Sequence, residues 1–405
     1  MKLQEYTESR HNFEECMKCT VCTAYCPVLQ ANPLYPGPKQ AGPDGERLRL
    51  KAPYFFNQAL KYCLNCKRCE VACPSGVNVA DLIQSARIKY DNTPPKLRDR
   101  MLASTDFMGK LARPVAPVVN AVTGLGVTKT ALDWTLAIDR HREFPKYSAR
   151  SFERWLKRRR KEQAVFPEQV AYFHGCYVNY NYPQLGKDLV KVLNALGVGV
   201  QLLDKEKCCG IALITNGMSA RARKNANHNV AQLRQAVQDK GLKVLTTSST
   251  CALTMRDEYP NLLGVDNADV RESILLATRF IFEKLEKGAS LKFKSGYHRK
   301  IAYHTPCHLE RMGWGIFSEK LLQMIPGVEF TLLDSNCCGI SGTYGFKKEN
   351  YDVSQAIGEA LFAQIRSVSP EVVACDCETC KWQIEMSTGY TVMNPISILA
   401  EAIEA

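Results

Sequence analysis

The sequence predicts a multidomain α+β protein with a helical N-terminal domain, a helical linker and two tandem α/β units. Three observations lead to this prediction. Two cysteine quartets lie in the first 95 residues, a cysteine-free segment with a helical apolar stripe follows, and from residue 166 onward the chain repeats itself. The expected boundaries are 1–95, 96–165, 166–297 and 298–405. A chain of 405 residues is long enough to form several domains around sizeable cores.

The N-terminal domain contains two copies of the pattern C-x2-C-x2-C-x3-C, each followed by proline. The first copy consists of Cys16, Cys19, Cys22 and Cys26, and the second consists of Cys63, Cys66, Cys69 and Cys73. This run is typical of bacterial two-cluster ferredoxins, in which the fourth cysteine ligates the other cluster. We therefore expect two [4Fe-4S] cubanes with crossed ligands: Cys16, Cys19, Cys22 with Cys73, and Cys63, Cys66, Cys69 with Cys26.

Structural zinc is the alternative for these quartets, since C-x2-C pairs also form zinc sites. Zinc does not require four cysteines within eleven residues, twice, each time followed by a proline (Pro27 and Pro74). Between the quartets, residues 32–38 and 41–45 are rich in proline and glycine and are predicted to be loop. Val79–Tyr90 is predicted to be a helix, and Pro94-Pro95 marks the domain boundary. The long spacer resembles the helical two-cluster ferredoxin domain of succinate dehydrogenase and fumarate reductase iron–sulfur subunits.

The linker contains a helical apolar stripe that is interrupted by Pro114 and Pro117. Its members are Met108, Leu111, Val115, Val118, Val119, Val122 and Leu125. Two interpretations remain open. The helices either pack against each other to join two domains, or lie in the plane of a membrane surface. The basic run at 154–161 is either a solvated helix face or a contact with anionic lipid.

The C-terminal part of the chain is an internal repeat in which short apolar strands alternate with helices. The spacing from Cys209 to Cys251 and from Cys338 to Cys380 is 42 residues in both copies. Equal spacing over this distance indicates duplication, and the alternation predicts a small parallel sheet in each copy. The cysteines follow strands, which is where α/β folds place their sites.

Each repeat contains a Cys-Cys-Gly motif. The side chains of two adjacent cysteines diverge, so they are better placed to ligate different irons of one polynuclear cluster than to ligate a single metal ion. The second copy has five cysteines, Cys307, Cys337, Cys338, Cys377 and Cys380, whereas the first has Cys176, Cys208, Cys209 and Cys251. The pattern resembles the CCG domain of the B subunit of heterodisulfide reductase and of related lactate- and glycolate-oxidising enzymes. That resemblance implies a noncubane [4Fe-4S] cluster on the five-cysteine set. In the first copy Ser248 replaces the equivalent of Cys377, so one or two such clusters are expected.

Other polar residues near these cysteines have open interpretations. His174, His304 and His308 could tune a cluster, donate a proton to a quinone, or satisfy local hydrogen bonds. Lys347 and Lys348 could attract an anionic group near Cys337, although surface lysines are usually only solvated. Cys375 is left without a role, as is common for a buried free cysteine.

The order of the parts resembles the C subunits of anaerobic glycerol-3-phosphate dehydrogenases over nearly the whole chain. The segments that carry the resemblance are 35–40, 42–50, 173–176, 179–181 and 377–386. The resemblance implies an electron-transfer subunit that receives electrons from a flavoprotein subunit oxidising sn-glycerol 3-phosphate. It further implies menaquinone as the acceptor and a tether at the cytoplasmic face of the cell membrane. The chain lacks a GxGxxG fingerprint and a nucleophile–base pair, so we expect the substrate-oxidising site in the partner.

Composition narrows the remaining alternatives. No secretory signal or run of about 18–20 apolar residues is evident, which predicts a peripheral protein in a reducing compartment where cysteines bind metal. The net charge of +12 alone would admit nucleic acid, but no nucleic-acid-binding motif is present and we expect no such partner. A second hypothesis is a heterodisulfide-reductase-like protein that reduces a disulfide at its CCG cluster.

Overall fold

The computed structural model describes residues 12–52 and 58–404. The N-terminal domain is built from short helices around the predicted helix Val79–Tyr90, which is confirmed. Val79, Ala80, Leu82, Ile83 and Ala86 bury one face of this helix in the core of the domain. The other helical segments are Phe13–Glu15, Val21–Ala24, Pro27–Ala31, Gln40–Asp44, Gly45–Lys51, Gln58–Tyr62 and Arg68–Val71.

The prediction of loop at 41–45 is wrong, because this segment forms a π-helical turn, Gln40–Asp44, that continues into the helix Gly45–Lys51. The turn packs closely on the central helix: a Cβ at Gly42 would lie 3.0 Å from the Val79 side chain. Burial against a neighbouring helix thus outweighs the local preference of proline and glycine for loops.

The linker is helical, as predicted, but its apolar stripe faces outward. Leu111, Val115, Val118, Val122 and Leu125 are all exposed. The face that packs inward carries small residues instead, and a Cβ at Gly109 would lie only 2.4 Å from the Tyr180 ring. The linker helices are Leu97–Ala103, Thr105–Ala112, Arg113–Val115, Ala116–Gly124, Gly126–Leu136, Phe152–Lys157 and Arg160–Gln163.

No single helix within residues 12–52 and 58–404 is both long and apolar enough to cross a bilayer. Thr105–Gly124 and Gly126–Leu136 pass the same test only as a pair, and they meet at an angle of 85°.

Each repeat forms a four-stranded parallel sheet, as the alternation of strands and helices predicted. The first sheet contains β1 (Glu168–Tyr172), β2 (Val198–Leu202), β3 (Lys243–Thr246) and β4 (Ile274–Leu276), in the order β2-β1-β3-β4. The second contains β5 (Arg299–Tyr303), β6 (Val328–Leu332), β7 (Val372–Ala374) and β8 (Val392–Met393), in the order β6-β5-β7-β8. The register is also repeated, since Glu168 pairs with Val198 and Arg299 pairs with Val328. The edge strands β4 and β8 are too short for periodicity to have revealed them.

Helices cover the two sheets, and four of them were predicted from the sequence, at about 185–196, 219–239, 317–325 and 352–366. The first unit contains Gly175–Tyr180, Pro183–Ala195, Ile211–Thr215, Ser219–Arg234, Gln235–Asp239, Ser249–Leu253, Thr254–Glu258, Tyr259–Leu263, Arg271–Ser273 and Ala277–Glu286. The second contains Cys307–Met312, Gly315–Gln323, Tyr344–Phe346, Lys348–Asn350, Tyr351–Val368, Glu378–Thr388 and Pro395–Ala402.

The two units share one hydrophobic core rather than sitting apart on a tether. A single buried cluster contains Val170 and Leu245 of the first sheet together with Ile301 and Val372 of the second. The loops after β3 and β7 also meet, because the backbone N–H of Ser249 donates to the carbonyl of Asp376 at 3.0 Å. The cysteines that follow these strands are therefore held in one region.

A buried ion cluster joins the N-terminal domain to both units. The ammonium of Lys67 contacts Asp81, lies 3.6 Å from Glu70 and lies 3.8 Å from Glu258 of the first unit. Burial alone would lower the pKa of Lys67, but these carboxylates outweigh it and raise that pKa. Arg311 of the second unit donates to Glu70 at 2.9 Å. The second quartet is thus clamped between the two units.

Replacing Lys67 by Met should destabilise the protein by about 3–5 kcal/mol, because it leaves buried carboxylates without their cation. Thr20 is the matched control: it occupies the equivalent loop position with the same φ of 65° but is exposed. Thermal unfolding of anaerobically purified protein should show a large loss of stability for Lys67→Met and a change within about 0.5 kcal/mol for Thr20→Met. Equal unfolding temperatures would contradict a structural role for the ion cluster.

Candidate metal centres

The loops of the two quartets have the same backbone conformation. In each loop two non-glycine residues are left-handed: Lys18 and Thr20 in the first, with φ of 61° and 65°, and Asn65 and Lys67 in the second, with φ of 55° and 65°. Such residues cost roughly 1–2 kcal/mol each, so the surrounding structure must hold them. The first three thiols of each quartet are neighbours: besides burial, Cys16 and Cys19 raise the pKa of Cys22, and Cys66 and Cys63 raise the pKa of Cys69.

The structure brings the fourth cysteine of each quartet to the opposite trio. Burial and the neighbouring thiols of Cys16, Cys73 and Cys19 raise the pKa of Cys22. Burial, together with the nearby Cys66 and Cys63, raises the pKa of Cys26 to about 12. This is the arrangement that crossed fourth ligands require, and the thiol-only donor sets fit iron–sulfur clusters.

The five cysteines of the second unit form a connected group of thiols. The sulfurs of Cys338 and Cys380 are 3.2 Å apart. The hydrogen bonds that Cys338 forms with Cys337 and Cys380 lower its pKa to about 5. A hydrogen bond from Cys380 likewise lowers the pKa of Cys377 to about 6. Because the thiolate is the form that binds metal, this set fits a thiophilic cluster.

Cys307 connects this group to the second quartet. Its thiol lies within hydrogen-bond reach of both Cys337 and Cys66. A hydrogen bond from Cys307 lowers the pKa of Cys66. Two effects outweigh it, the hydrogen bond that Cys66 donates to Cys337 and the burial of the thiol, and together they raise the pKa of Cys66 to about 11. The second quartet and the second unit therefore share a continuous thiol contact, which sequence spacing did not reveal.

The first unit brings together four thiols, and Ser248 lies beside one of them, within hydrogen-bond reach of the Cys251 thiol. Cys208 lies in hydrogen-bond reach of Cys176 and Cys209, and Cys209 in turn contacts Cys251. The hydroxyl of Ser248 accepts the backbone N–H of Cys251 at 3.2 Å and donates to the Glu378 carboxylate at 2.9 Å. Ser248 therefore acts as a helix cap and as a contact between the units.

Comparison with known proteins supports the same division of the chain. Residues 12–77 match the 4Fe-4S dicluster domain family, and residues 170–256 and 301–385 match the cysteine-rich domain family. The C subunit of the anaerobic glycerol-3-phosphate dehydrogenase of Escherichia coli K12 is 58% identical over 392 residues, which cover 97% of this chain and 99% of that protein. The chain belongs to the family of anaerobic glycerol-3-phosphate dehydrogenase C subunits.

More distant relatives also match along the length of this C-subunit family member. The D subunit of the dihydromethanophenazine:CoB–CoM heterodisulfide reductase of Methanosarcina barkeri is 25% identical over 96% of this chain and 94% of its own. The B subunit of the CoM/CoB fumarate reductase of Methanothermobacter marburgensis is 24% identical over 98% of this chain and 73% of its own. The predicted combination of ferredoxin-type and cysteine-rich parts is thus confirmed as a family architecture.

Two further residues of this C-subunit family member adjoin the five-cysteine group. Cys375, for which sequence patterns indicated no role, has its sulfur within 4.8 Å of the Cys380 sulfur and of a His304 ring nitrogen. Neither ring nitrogen of His304 has a hydrogen-bond partner among the described residues. Burial lowers the pKa of His304 to about 4, so the imidazole is neutral. His304 is therefore the histidine whose environment leaves it available to the metal site.

The other histidines and the lysine pair have protein partners. His174 lies 3.2 Å from Glu206, and His308 bridges the Thr250 hydroxyl and the Asn65 carbonyl at 3.2 and 3.1 Å. Lys347 and Lys348 form ion pairs with linker carboxylates, at 2.9 Å from Asp99 and 2.8 Å from Asp133. The hypothesis of an anion site at these lysines is wrong, because both charges secure the linker to the second unit.

Cys377→Ser should change the electron paramagnetic resonance signal of the second unit and leave the signals of the two quartets intact, because Cys377 does not contact Cys66. Cys375→Ala is the comparison: it removes a thiol that adjoins Cys380 but that we do not place among the ligands, so its effect on this signal should be much smaller. The spectra should be recorded on reduced and oxidised protein. Loss of the quartet signals in Cys377→Ser, or equal effects of the two substitutions, would contradict separate sites.

Proposed function

We propose that this chain receives electrons from a flavoprotein subunit that oxidises sn-glycerol 3-phosphate to dihydroxyacetone phosphate, and passes them to menaquinone. The 58% identical relative belongs to a glycerol-3-phosphate dehydrogenase, which supports the substrate. The absence of a dinucleotide fingerprint from this sequence supports a separate flavoprotein. The observation that carries the proposal is the contact of Cys66 with Cys307 and Cys337, which joins the ferredoxin-type domain to the cysteine-rich unit.

We assign two cubanes to the crossed quartets, a noncubane cluster to the five-cysteine set and an altered cluster, or none, to the first unit. Clusters in these positions would carry single electrons, at potentials set by charge, hydrogen bonds and burial. The burial of the cysteines indicates the order in which electrons would pass through the clusters. Cys19 is exposed, whereas Cys69, Cys337 and Cys338 are buried, so a donor subunit can approach the first quartet.

The exposed linker supports a peripheral site on a membrane surface, which we place at the cytoplasmic face. Val118 and Leu125 are 63% and 57% exposed, and Trp134 is 82% exposed. Basic residues of the 154–161 run are also exposed. They lie near the linker, because the helix Phe152–Lys157 and the linker helix Thr105–Ala112 both pack on the helix Gly175–Tyr180. Apolar side chains beside basic ones suit an interfacial segment on anionic lipid.

The heterodisulfide-reductase-like alternative has less support from the geometry. A disulfide substrate would have to reach the space between the two cysteine sets, which is lined by Cys176, Cys251, Cys377 and Glu378. The volume there is about 20 Å³, which is room for about one water molecule. We therefore favour electron transfer through this region over chemistry on a bound disulfide.

The function can be tested with the full chain and its flavoprotein partner under anaerobic conditions. Addition of sn-glycerol 3-phosphate should reduce the clusters of this chain, observed by electron paramagnetic resonance, only when the flavoprotein is present. The protein should contain iron and sulfide for at least three four-iron clusters. Zinc without sulfide would overturn the proposal, and cleavage of a disulfide without the flavoprotein would favour the alternative.

Membrane contact can be separated into an apolar and a charged part. Leu111→Asp with Val118→Asp should abolish binding to both neutral and phosphatidylglycerol vesicles in a sedimentation assay. Neutralising Arg158, Arg160 and Lys161 to Gln should weaken only phosphatidylglycerol binding, by about 1 kcal/mol per charge or on the order of a hundredfold in total. Ile316→Asp, at an exposed residue of the second unit, is the control. Vesicle binding that all variants retain would exclude this surface.

A further inference from the structure

A cavity of about 420 Å³ lies where the N-terminal domain meets both cysteine-rich units. Its lining includes Tyr62, Cys63, Arg87, Asn216, Ser219 and Tyr344. The volume is within the range of small-molecule sites in proteins. Cys63 belongs to the second quartet, so a ligand here would lie directly beside that metal centre.

The charged residues around the cavity are largely neutralised by each other. Lys61 pairs with Asp91 at 3.1 Å, Arg98 pairs with Glu349 at 2.6 Å, and Lys347 pairs with Asp99 at 2.9 Å. These ion pairs come from the N-terminal domain, the linker and the second unit. Arg87 and Lys96 lie outside the three pairs, so the lining keeps a positive charge that can bind an electron-rich oxygen of a ligand.

One cation in the lining has only neutral partners. The Arg87 guanidinium donates to Gln84 at 3.0 Å and to the carbonyl of Thr215 at 3.1 Å, and no ion pair joins it to a carboxylate among the described residues. The Tyr344 hydroxyl and the Asn216 side-chain oxygen also lack hydrogen-bond partners among these residues, but both atoms are buried away from the accessible space. Arg87 is therefore a donor that the cavity can offer to a ligand.

We propose that this cavity binds the ring of the quinone acceptor. A quinone is neutral and planar, and its two carbonyl oxygens can accept hydrogen bonds from a donor such as the Arg87 guanidinium. The tyrosine rings of Tyr62 and Tyr344, with Ile88 and Ile214, offer apolar surface to its faces. This inference rests on the proposed function, in which quinone is the acceptor.

The position of the opening fits a ligand with a long apolar tail. Lys96 and Arg98 line the cavity, and Leu97 between them is 64% exposed. Arg98 also donates to the Ala137 carbonyl at 2.7 Å, next to the helix Gly126–Leu136 that carries the exposed Trp134. The side of the cavity lined by Lys96 and Arg98 therefore adjoins the linker surface assigned above to the membrane, along which a tail would extend.

The reaction balances without a further reagent. One quinone takes up two electrons and two protons to give one quinol. The oxidation of one glycerol 3-phosphate by the partner subunit releases the two electrons and two protons. The electrons would reach the ring beside Cys63, and protons can enter from water through the opening of the cavity.

The test uses the full chain with its clusters and the fluorescent quinone-site probe 2-heptyl-4-hydroxyquinoline N-oxide. Ser219→Trp places a large ring in the cavity and should weaken probe binding at least tenfold, measured by fluorescence quenching. Ser290→Trp, at an exposed residue outside the lining, should bind like wild type. Arg87→Gln is a second, nearly isosteric variant that should weaken binding several-fold, and unchanged cluster spectra show that the variants are folded.

The outcomes separate this inference from the proposed function. Unaltered probe binding in both Ser219→Trp and Arg87→Gln, or no binding to wild type, would overturn the cavity assignment. Binding that follows the expected pattern, while glycerol 3-phosphate and the flavoprotein fail to reduce the clusters, would support the cavity and overturn the electron-transfer proposal. Cluster reduction in Ser219→Trp at the wild-type rate, with loss of quinone reduction, would support both.

Discussion

The buried ammonium of Lys67 is the interaction on which the arrangement of the metal centres depends. It holds Asp81 and Glu70 of the N-terminal domain and Glu258 of the first unit, while Arg311 of the second unit binds Glu70. Lys67 directly follows Cys66, so the same contacts that join three parts of the fold fix the cysteine that touches Cys307 and Cys337. Removing one member of such a cluster is strongly destabilising, because it leaves an uncompensated charge buried in the protein.

The two cysteine-rich units show how duplication can separate two roles at one position. Cys377 in the second unit and Ser248 in the first both precede a helix after the third strand of their sheet. Cys377 stays with the thiols, whereas the hydroxyl of Ser248 binds Glu378 across the interface between the units. The change from sulfur to oxygen thus replaces a candidate ligand by a contact that holds the two copies together.

Much of the architecture could be predicted from local patterns. The helix Val79–Tyr90, the main strands and the two kinds of cysteine motif follow from periodicity and spacing. Features that depend on distant contacts could not be predicted. Gly42 lies in a helical turn because it packs on Val79, and the linker turns its large apolar residues outward because Gly109 fits the Tyr180 ring. The contact of Cys66 with the second unit and the approach of Cys375 to Cys380 leave no trace in local sequence.

The crossing of the fourth cysteines has a consequence for biogenesis. Cys73 completes the set of Cys16, Cys19 and Cys22, and Cys26 completes the set that contains Cys63. The set that contains Cys63 is therefore complete once Cys69 has left the ribosome, and the set that contains Cys16 is complete only four residues later, with Cys73. The five-cysteine set requires Cys380, so translation makes the ferredoxin-type sets available first and the five-cysteine set last.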